Sequence, residues 1–134
     1  MHNKNLSSVT LGKEGENKAA GALEAKGMKI IARNFRSKYG EIDIIAIDGE
    51  SLVFTEVKAW SAFGIDDLQY SLDIKKQSKI IKTAKYFLLE NRKYSNMSVR
   101  FDVIFVNESN TPEGCQTPEG CQITHLASAF TERV

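Results

Sequence analysis

Acidic side chains stand inside two of the most apolar segments of the chain, Gly40-Glu41-Ile42-Asp43-Ile44-Ile45-Ala46-Ile47 and Leu52-Val53-Phe54-Thr55-Glu56-Val57-Lys58. Asp48-Gly49-Glu50-Ser51 joins them, and a glycine that accepts positive φ suits a two-residue hairpin. With Asp48 paired to Ser51, Asp43 faces Glu56 and Glu41 faces Lys58. With Ile47 paired to Glu50, the partners move by two residues and stay on one face; only an odd loop or a bulge separates them. Carboxylates facing each other, with Cβ atoms ~4.5–5.5 Å apart, repel unless a cation lies between them. A divalent metal ion suits that position. The other reading is a surface ion-pair ladder in which Lys58 neutralises Glu41 and Glu56.

The rest of both strands favours the metal reading. One face is expected to carry Ile42, Ile44, Ala46, Val53, Thr55 and Val57; the acid-bearing face continues as Ile45, Ile47, Leu52 and Phe54. Both faces are apolar, as in strands covered on both sides. Burying an unpaired charge there is costly, so acids in such strands call for partners.

The elements that must position these acids follow from caps and periodicity. A first helix is expected from near Thr10 to Lys26, with Ser8 or Thr10 as cap candidates and Gly27 as its stop. A strand over Met28 to Phe35 precedes the turn Arg36-Ser37-Lys38-Tyr39-Gly40, and the hairpin strands follow. A second helix, capped by Asp73, with Asp66 or Asp67 able to begin an earlier turn, ends near Asn91. Ser98 to Val106 alternates like a strand; Gln122 to Leu126 suits a short last strand before a terminal turn containing Ala129-Phe130. No linker divides the chain, and 134 residues suit a single domain over 1–134.

Helical geometry sorts the polar candidates. At ~100° per residue Glu16 lies within about 60° of Ala19, Ala20 and Leu23, whereas Glu14 points nearly the opposite way. Glu16 thus looks toward the sheet, or is an acid favoured by the dipole of a first turn. In the second helix Lys76 and Gln77 fall within the stripe of Ile80, Ala84, Phe87 and Leu88, while Lys75, Lys79 and Lys82 form an outward row. An inward lysine needs a sheet-borne carboxylate or a substrate phosphate. The outward row is either a solvated face or a steering surface for a polyanion.

These motifs, in this order, resemble the PD-(D/E)XK nuclease superfamily: an acid on the first helix, then Gly-Glu-Ile-Asp-Ile-Ile, then Phe-Thr-Glu-Val-Lys. Nearly the whole chain resembles the small bacterial YraN-type family of predicted endonucleases, itself similar to archaeal Holliday-junction resolvases. The resemblance runs through Gly12 to Glu16, Gly27, Arg33-Asn34, Gly40 to Asp43, Glu56 to Lys58, Phe63-Gly64, Lys76-Gln77, Arg100-Phe101-Asp102 and Ala129-Phe130. It implies an α/β fold, a mixed central sheet flanked by helices with a restriction-endonuclease-like αβββαβ core. It implies that Asp43 and Glu56 hold Mg²⁺ or Mn²⁺ with the Val57 carbonyl and water, hard oxygen donors that match such an ion. Lys58 would orient or deprotonate the attacking water, Glu16 would complete the acidic cluster, and Lys76 and Gln77 would contact phosphate. The reaction implied is hydrolysis of a phosphodiester, in DNA sooner than RNA, in branched or single-stranded structures.

One departure lies shortly after Glu-Val-Lys, where the family pattern usually carries an arginine and this chain has Ala59-Trp60. Trp60 offers a ring for an unpaired base or fills the core or rim. A nuclease-fold module that binds nucleic acid or a protein without cutting is the alternative function, and the modest net charge of +1 suits it. Junction cutting needs two incisions, which makes a homodimer attractive.

Composition bounds the remainder. Hydrophobic residues at 42% and charged residues at 26% describe an ordinary soluble globular protein. The first residues lack an apolar signal core and no apolar run reaches membrane-spanning length, so a cytoplasmic protein without a membrane partner is expected. Both cysteines, Cys115 and Cys121, lie in a tandem duplication of Thr-Pro-Glu-Gly-Cys-Gln over 111–122. With His125 they make an incomplete zinc set that lacks a fourth ligand, so reduced thiols in a loop are expected.

Overall fold

Helix α1 (Lys4–Ala25) is followed by three strands, β1 (Lys29–Ser37), β2 (Gly40–Asp48) and β3 (Ser51–Trp60), then α2 (Ile74–Glu90), a 3₁₀ turn (Arg92–Tyr94), β4 (Ser98–Asn107) and β5 (Ile123–Phe130). This computed structural model describes residues 4–60, 73–107 and 123–132. The five strands lie in sequence order, antiparallel except for the β3–β4 pair. Parallel neighbours cannot be joined by a tight turn, and α2 lies in the segment that connects them. The result is α/β, a mixed sheet between two helices, with the αβββαβ order of a restriction-endonuclease-like core.

Each helix covers one face. Ala19, Ala20 and Leu23 of α1 pack on Ile44, Ala46, Ile104 and Val106; Ile80, Ala84 and Phe87 of α2 pack on Ile42, Ile45, Leu52, Phe54 and Phe101. Phe87 meets Phe54 and Phe35 edge-on, a favoured aromatic geometry. Both faces of β2 and β3 are therefore covered, as their apolar composition requires.

Local signals set several boundaries. The Gly27 N–H bonds to the Glu24 carbonyl and the Met28 N–H to that of Leu23, with Gly27 at φ +91°, the left-handed closure that glycine permits. Asp73 caps α2, accepting from the Lys76 N–H at 2.9 Å. The hairpin pairs Asp48 with Ser51, and Gly49 takes φ +61°.

Four expectations change. The first helix begins at Lys4, so Ser8 and Thr10 lie within its span and not at its start; a hydroxyl marks a start only where the backbone ladder stops. The first strand continues to Ser37 and narrows the turn to Lys38-Tyr39. The last strand runs to Phe130, so Ala129-Phe130 is not a terminal turn. Phe130 pairs with Phe101 and stacks on its ring at 5.0 Å, and Ser128, at φ +52°, carries the irregularity that keeps the strand on the sheet. Finally, Ile42 does not share a face with Ile44. Ile44 packs beneath α1 and Ile42 beneath α2. The same switch separates their partners on β1. Arg33, opposite Ile44, reaches α1, whereas Phe35, opposite Ile42, packs toward α2. Between them Asn34 adopts φ +54°, and one left-handed residue breaks the two-residue alternation of a strand.

Candidate active site

The face switch occurs at Asp43. The β2–β3 ladder runs from Asp48↔Ser51 to Ile44↔Thr55. Continued regularly, it would set Ile42 against Val57, but Ile42 has turned toward α2. The Asp43 carboxylate instead accepts the Val57 N–H through Oδ2 at 2.7 Å. A residue's N–H and C=O leave an extended strand on the same side, so the Val57 carbonyl is directed at this opening too.

Glu56 stands beside it, 8% exposed, and its Oε2 pairs with the Lys76 ammonium at 2.9 Å. Burial and the adjacent Glu56 charge push the Asp43 carboxyl up to about 8; the Val57 N–H opposes the shift, and a hydrogen bond to Glu56 and the Glu16 charge add to it. Lys58 is half-buried, and burial lowers its pKa, aided by a hydrogen bond and charge repulsion from Lys76. Burial also acts against charge on Lys76, but its bonds to Lys58 and Glu56 and the two carboxylate charges raise its pKa overall. The site is thus two crowded carboxylates and two crowded ammonium groups, joined by the Lys76–Glu56 ion pair.

Asp43 supplies a stability prediction. Its folded pKa of about 8 lies above the unfolded value near 3.9, so folding takes up a proton between those limits. Stability of the metal-free protein therefore falls as pH rises from about 4 to about 8. Asp43→Asn removes the second charge. Its melting temperature in EDTA is expected to exceed that of the wild type at pH 8 and to converge with it near pH 4. Parallel curves would show that carboxylate repulsion is not stored here.

Glu16 faces inward, with its side chain 14% exposed, whereas Glu14 is exposed. Its Oε1 accepts from Arg33 Nε at 3.1 Å, Arg33 Nη2 at 2.9 Å and Asn34 Nδ2 at 3.0 Å. Arg33 and Asn34, to which sequence reasoning gave no role, thus fix this acid, and Asn34 is also the left-handed residue between Arg33 and Phe35 on β1. Among the described residues no group of three or more Asp, Glu, His or Cys converges to hold an ion. Two carboxylates and one carbonyl remain, which fits Mg²⁺ or Mn²⁺: such ions retain several waters and use one or two protein carboxylates.

Other candidates take distinct places. Lys75, Lys79 and Lys82 are exposed on α2, and Gln77 lies half-buried in its first turn. A side chain at Gly40 would meet the Lys79 Cβ at 3.6 Å, so the β1–β2 turn adjoins the basic row. Glu41 does not face Lys58; it is exposed and pairs with Arg36 at 3.1 Å. The β2–β3 pairing has already ended there, and the ion-pair ladder does not form. Trp60 ends β3, and its side chain, like Phe63-Gly64 and the duplicated segment with Cys115 and Cys121, lies outside the described residues.

A second polar cluster is structural. Asp102, with no exposed surface, accepts from Arg100 Nε and Nη2 at 3.0 Å each and from the Ser128 N–H at 2.9 Å. His125 Nε2 lies 2.6 Å from Asp102 Oδ2, and His125 Nδ1 lies 2.7 Å from Lys26 Nζ. An ammonium can only donate, so Nδ1 accepts and Nε2–H donates to Asp102. His125 is thereby committed to tying β5, β4 and the end of α1 together.

A family model described as "Uncharacterised protein family UPF0102" matches residues 15–106, which include every residue of the acid–lysine cluster. A UPF0102 protein of Treponema denticola is 42% identical over 128 residues, 90% of this chain and 95% of its own length. One from Persephonella marina is 46% identical over 119 residues, covering 89% and 91%. Among the described residues no helix is long and apolar enough to cross a membrane.

Proposed function

Since the chain belongs to the UPF0102 family, the YraN family that its motifs resemble, and the relatives' names specify no reaction, we propose from the site itself that it is a metal-dependent nuclease hydrolysing phosphodiester bonds in DNA. The observation that carries this reading is the Asp43–Glu56 pair, placed where the β2–β3 ladder opens and bracketed by Lys58 and Lys76. Structural ion pairs do not call for two crowded carboxylates; phosphoryl transfer does, because the negative charge that builds on the phosphoryl oxygens would be met by a cation that such a pair can hold. Asp43, Glu56 and the Val57 carbonyl are the groups to hold Mg²⁺ or Mn²⁺, which supplies Lewis-acid charge at the phosphoryl oxygen.

The protein's own residues supply the rest. Lys58, with its lowered pKa, accepts a proton from water more readily than an exposed lysine does. The attacking oxygen bonds to phosphorus as the ester P–O bond breaks, and the leaving oxygen takes a proton from solvent. Lys76 and Gln77, in the first turn of α2, are assigned to phosphate contact. Trp60 is assigned to an unpaired base in branched or single-stranded substrates.

The basic row on α2 is assigned to phosphate contact. Reversing the charges of Lys75, Lys79 and Lys82 is expected to weaken DNA binding and to flatten its salt dependence. The log–log slope should fall by about 0.7–0.9 for each phosphate that is no longer neutralised. Fluorescence anisotropy across a salt series measures both; an unchanged slope would make the row a solvated face.

The deciding experiment is a cleavage panel of labelled duplex, single-stranded, flap and four-way-junction DNA, plus RNA, with Mg²⁺ or Mn²⁺. Glu56→Ala, purified identically, controls for contaminating nucleases. Cutting by the wild type alone supports the proposal and names the substrate. A folded protein that cuts none of them is a nuclease-fold binding module instead.

A further inference from the structure

Glu56 is nearly enclosed, with its side chain 9% exposed, whereas that of its partner Lys76 is 41% exposed. The Lys76 backbone is fixed, since its N–H is held by the Asp73 cap and the adjacent Gln77 N–H by the Asp73 carbonyl. Only the long side chain bridges from that anchor to Glu56. Its ammonium lies 2.9 Å from Oε2, one of the two oxygens through which this carboxylate could hold a divalent ion. An ammonium and a dication a few ångströms apart in a poorly hydrated site repel strongly, so the two compete for Glu56.

Resting on the nuclease reading, we propose that Lys76 is a tethered stand-in for the metal: its ammonium holds Glu56 in the metal-free protein and is displaced when Mg²⁺ or Mn²⁺ binds. The same displacement frees a cation for substrate. The released side chain is rooted in the first turn of α2, one residue from exposed Lys75 and three from exposed Lys79, where an incoming phosphate can take it up. Metal and phosphate thereby favour each other, as linkage requires when each removes what opposes the other. Without metal, the ion pair offsets part of the charge on Glu56 and keeps Lys76 from gripping nucleic acid at an unassembled site.

The test is Mn²⁺ affinity without DNA, read by electron paramagnetic resonance of free Mn²⁺, for wild type, Lys76→Met, Lys76→Gln, Lys76→Arg and Glu56→Ala. Removing the competing charge is expected to tighten Mn²⁺ binding about tenfold in both neutral variants, about 1.4 kcal/mol, whereas Lys76→Arg stays near wild type. Thermal melts in EDTA and in saturating Mn²⁺ give a second readout: Lys76→Met melts below wild type in EDTA and gains more on Mn²⁺ addition. Neutral variants that bind Mn²⁺ no more tightly, while Glu56→Ala loses it, would overturn the stand-in role and leave the metal site standing. Absence of Mn²⁺ binding in all five proteins would overturn the nuclease reading and this inference with it.

Discussion

Lys58→Ala is expected to lower DNA cleavage by about 10²–10⁴-fold, the range that positioned acid–base groups supply, while Mn²⁺ affinity stays within a few-fold of wild type. The separation follows from the register. Lys58 lies two residues beyond Glu56 on β3, so both side chains leave the same face, and its ammonium interacts with Lys76, Glu56 and Asp43. The oxygens assigned to the metal belong to Asp43, Glu56 and Val57, and none is removed with Lys58. Its truncation also relieves Lys76 of a like charge, which leaves the Glu56–Lys76 pair intact. Single-turnover cleavage beside a Mn²⁺ titration measures both consequences. Full cleavage by the variant would take Lys58 out of the reaction; parallel loss of metal and activity would make it part of the metal site's scaffold.

Most of this site is legible in the sequence because short periodicities place it. Gly49 fixes the hairpin register, and the 3.6-residue period separates Glu16 from Glu14 and Lys76 from Lys75. Asp73 announces the start of α2. These signals depend on neighbours a few residues away, where the chain's local geometry is regular. The face switch at Asp43 is not legible in this way. The run from Ile42 to Ile47 is apolar enough to fit either face, so alternation cannot reveal that Ile42 and Ile44 part company. The matching irregularity on the neighbouring strand is at Asn34, a residue that tolerates positive φ without demanding it. Sequence brings Asp43 and Glu56 together; tertiary structure opens the ladder between them.

The helix start and the last strand were hidden for a related reason. Ser8 and Thr10 are good caps wherever a helix begins, but nothing local requires one to begin there. Ile123 to Phe130 alternates poorly, and its hold on the sheet comes from β4: the stacked Phe101–Phe130 pair and the Ser128 N–H on Asp102. Asp102 itself belongs to the motif Arg100-Phe101-Asp102, whose sequence discloses no role. Its partners His125 and Ser128 lie 23 and 26 residues away along the chain, and Arg100 reaches Asp48 across 52.

Asp102→Ala is accordingly expected to destabilise the fold by about 3–5 kcal/mol, the cost of breaking a buried ion pair from one side. That is a large fraction of the ~5–15 kcal/mol that holds a typical domain. The variant leaves the Arg100 guanidinium with Asp48 alone and removes the acceptor for both His125 Nε2–H and the Ser128 N–H. The pH dependence identifies the cause. Burial opposes ionisation of Asp102, but hydrogen bonds from His125, Arg100 and Ser128 overcome it and bring its pKa down to about 2. A carboxylate depressed on folding contributes stability above its unfolded pKa near 3.9 and loses it as pH falls through the folded value. Wild type should therefore lose about 2–3 kcal/mol between pH 5 and pH 2 that Asp102→Asn does not. Chemical denaturation across that range measures the difference, and equal losses would deny the cluster its electrostatic role. The consequence reaches the active site through register, since Asp102 pairs with Thr55 and Val103 with Glu56 across the parallel β3–β4 ladder. A loosened β4 leaves Glu56 on a less rigid strand, so Asp102→Asn should also weaken Mn²⁺ binding although Asp102 touches none of the groups assigned to the ion.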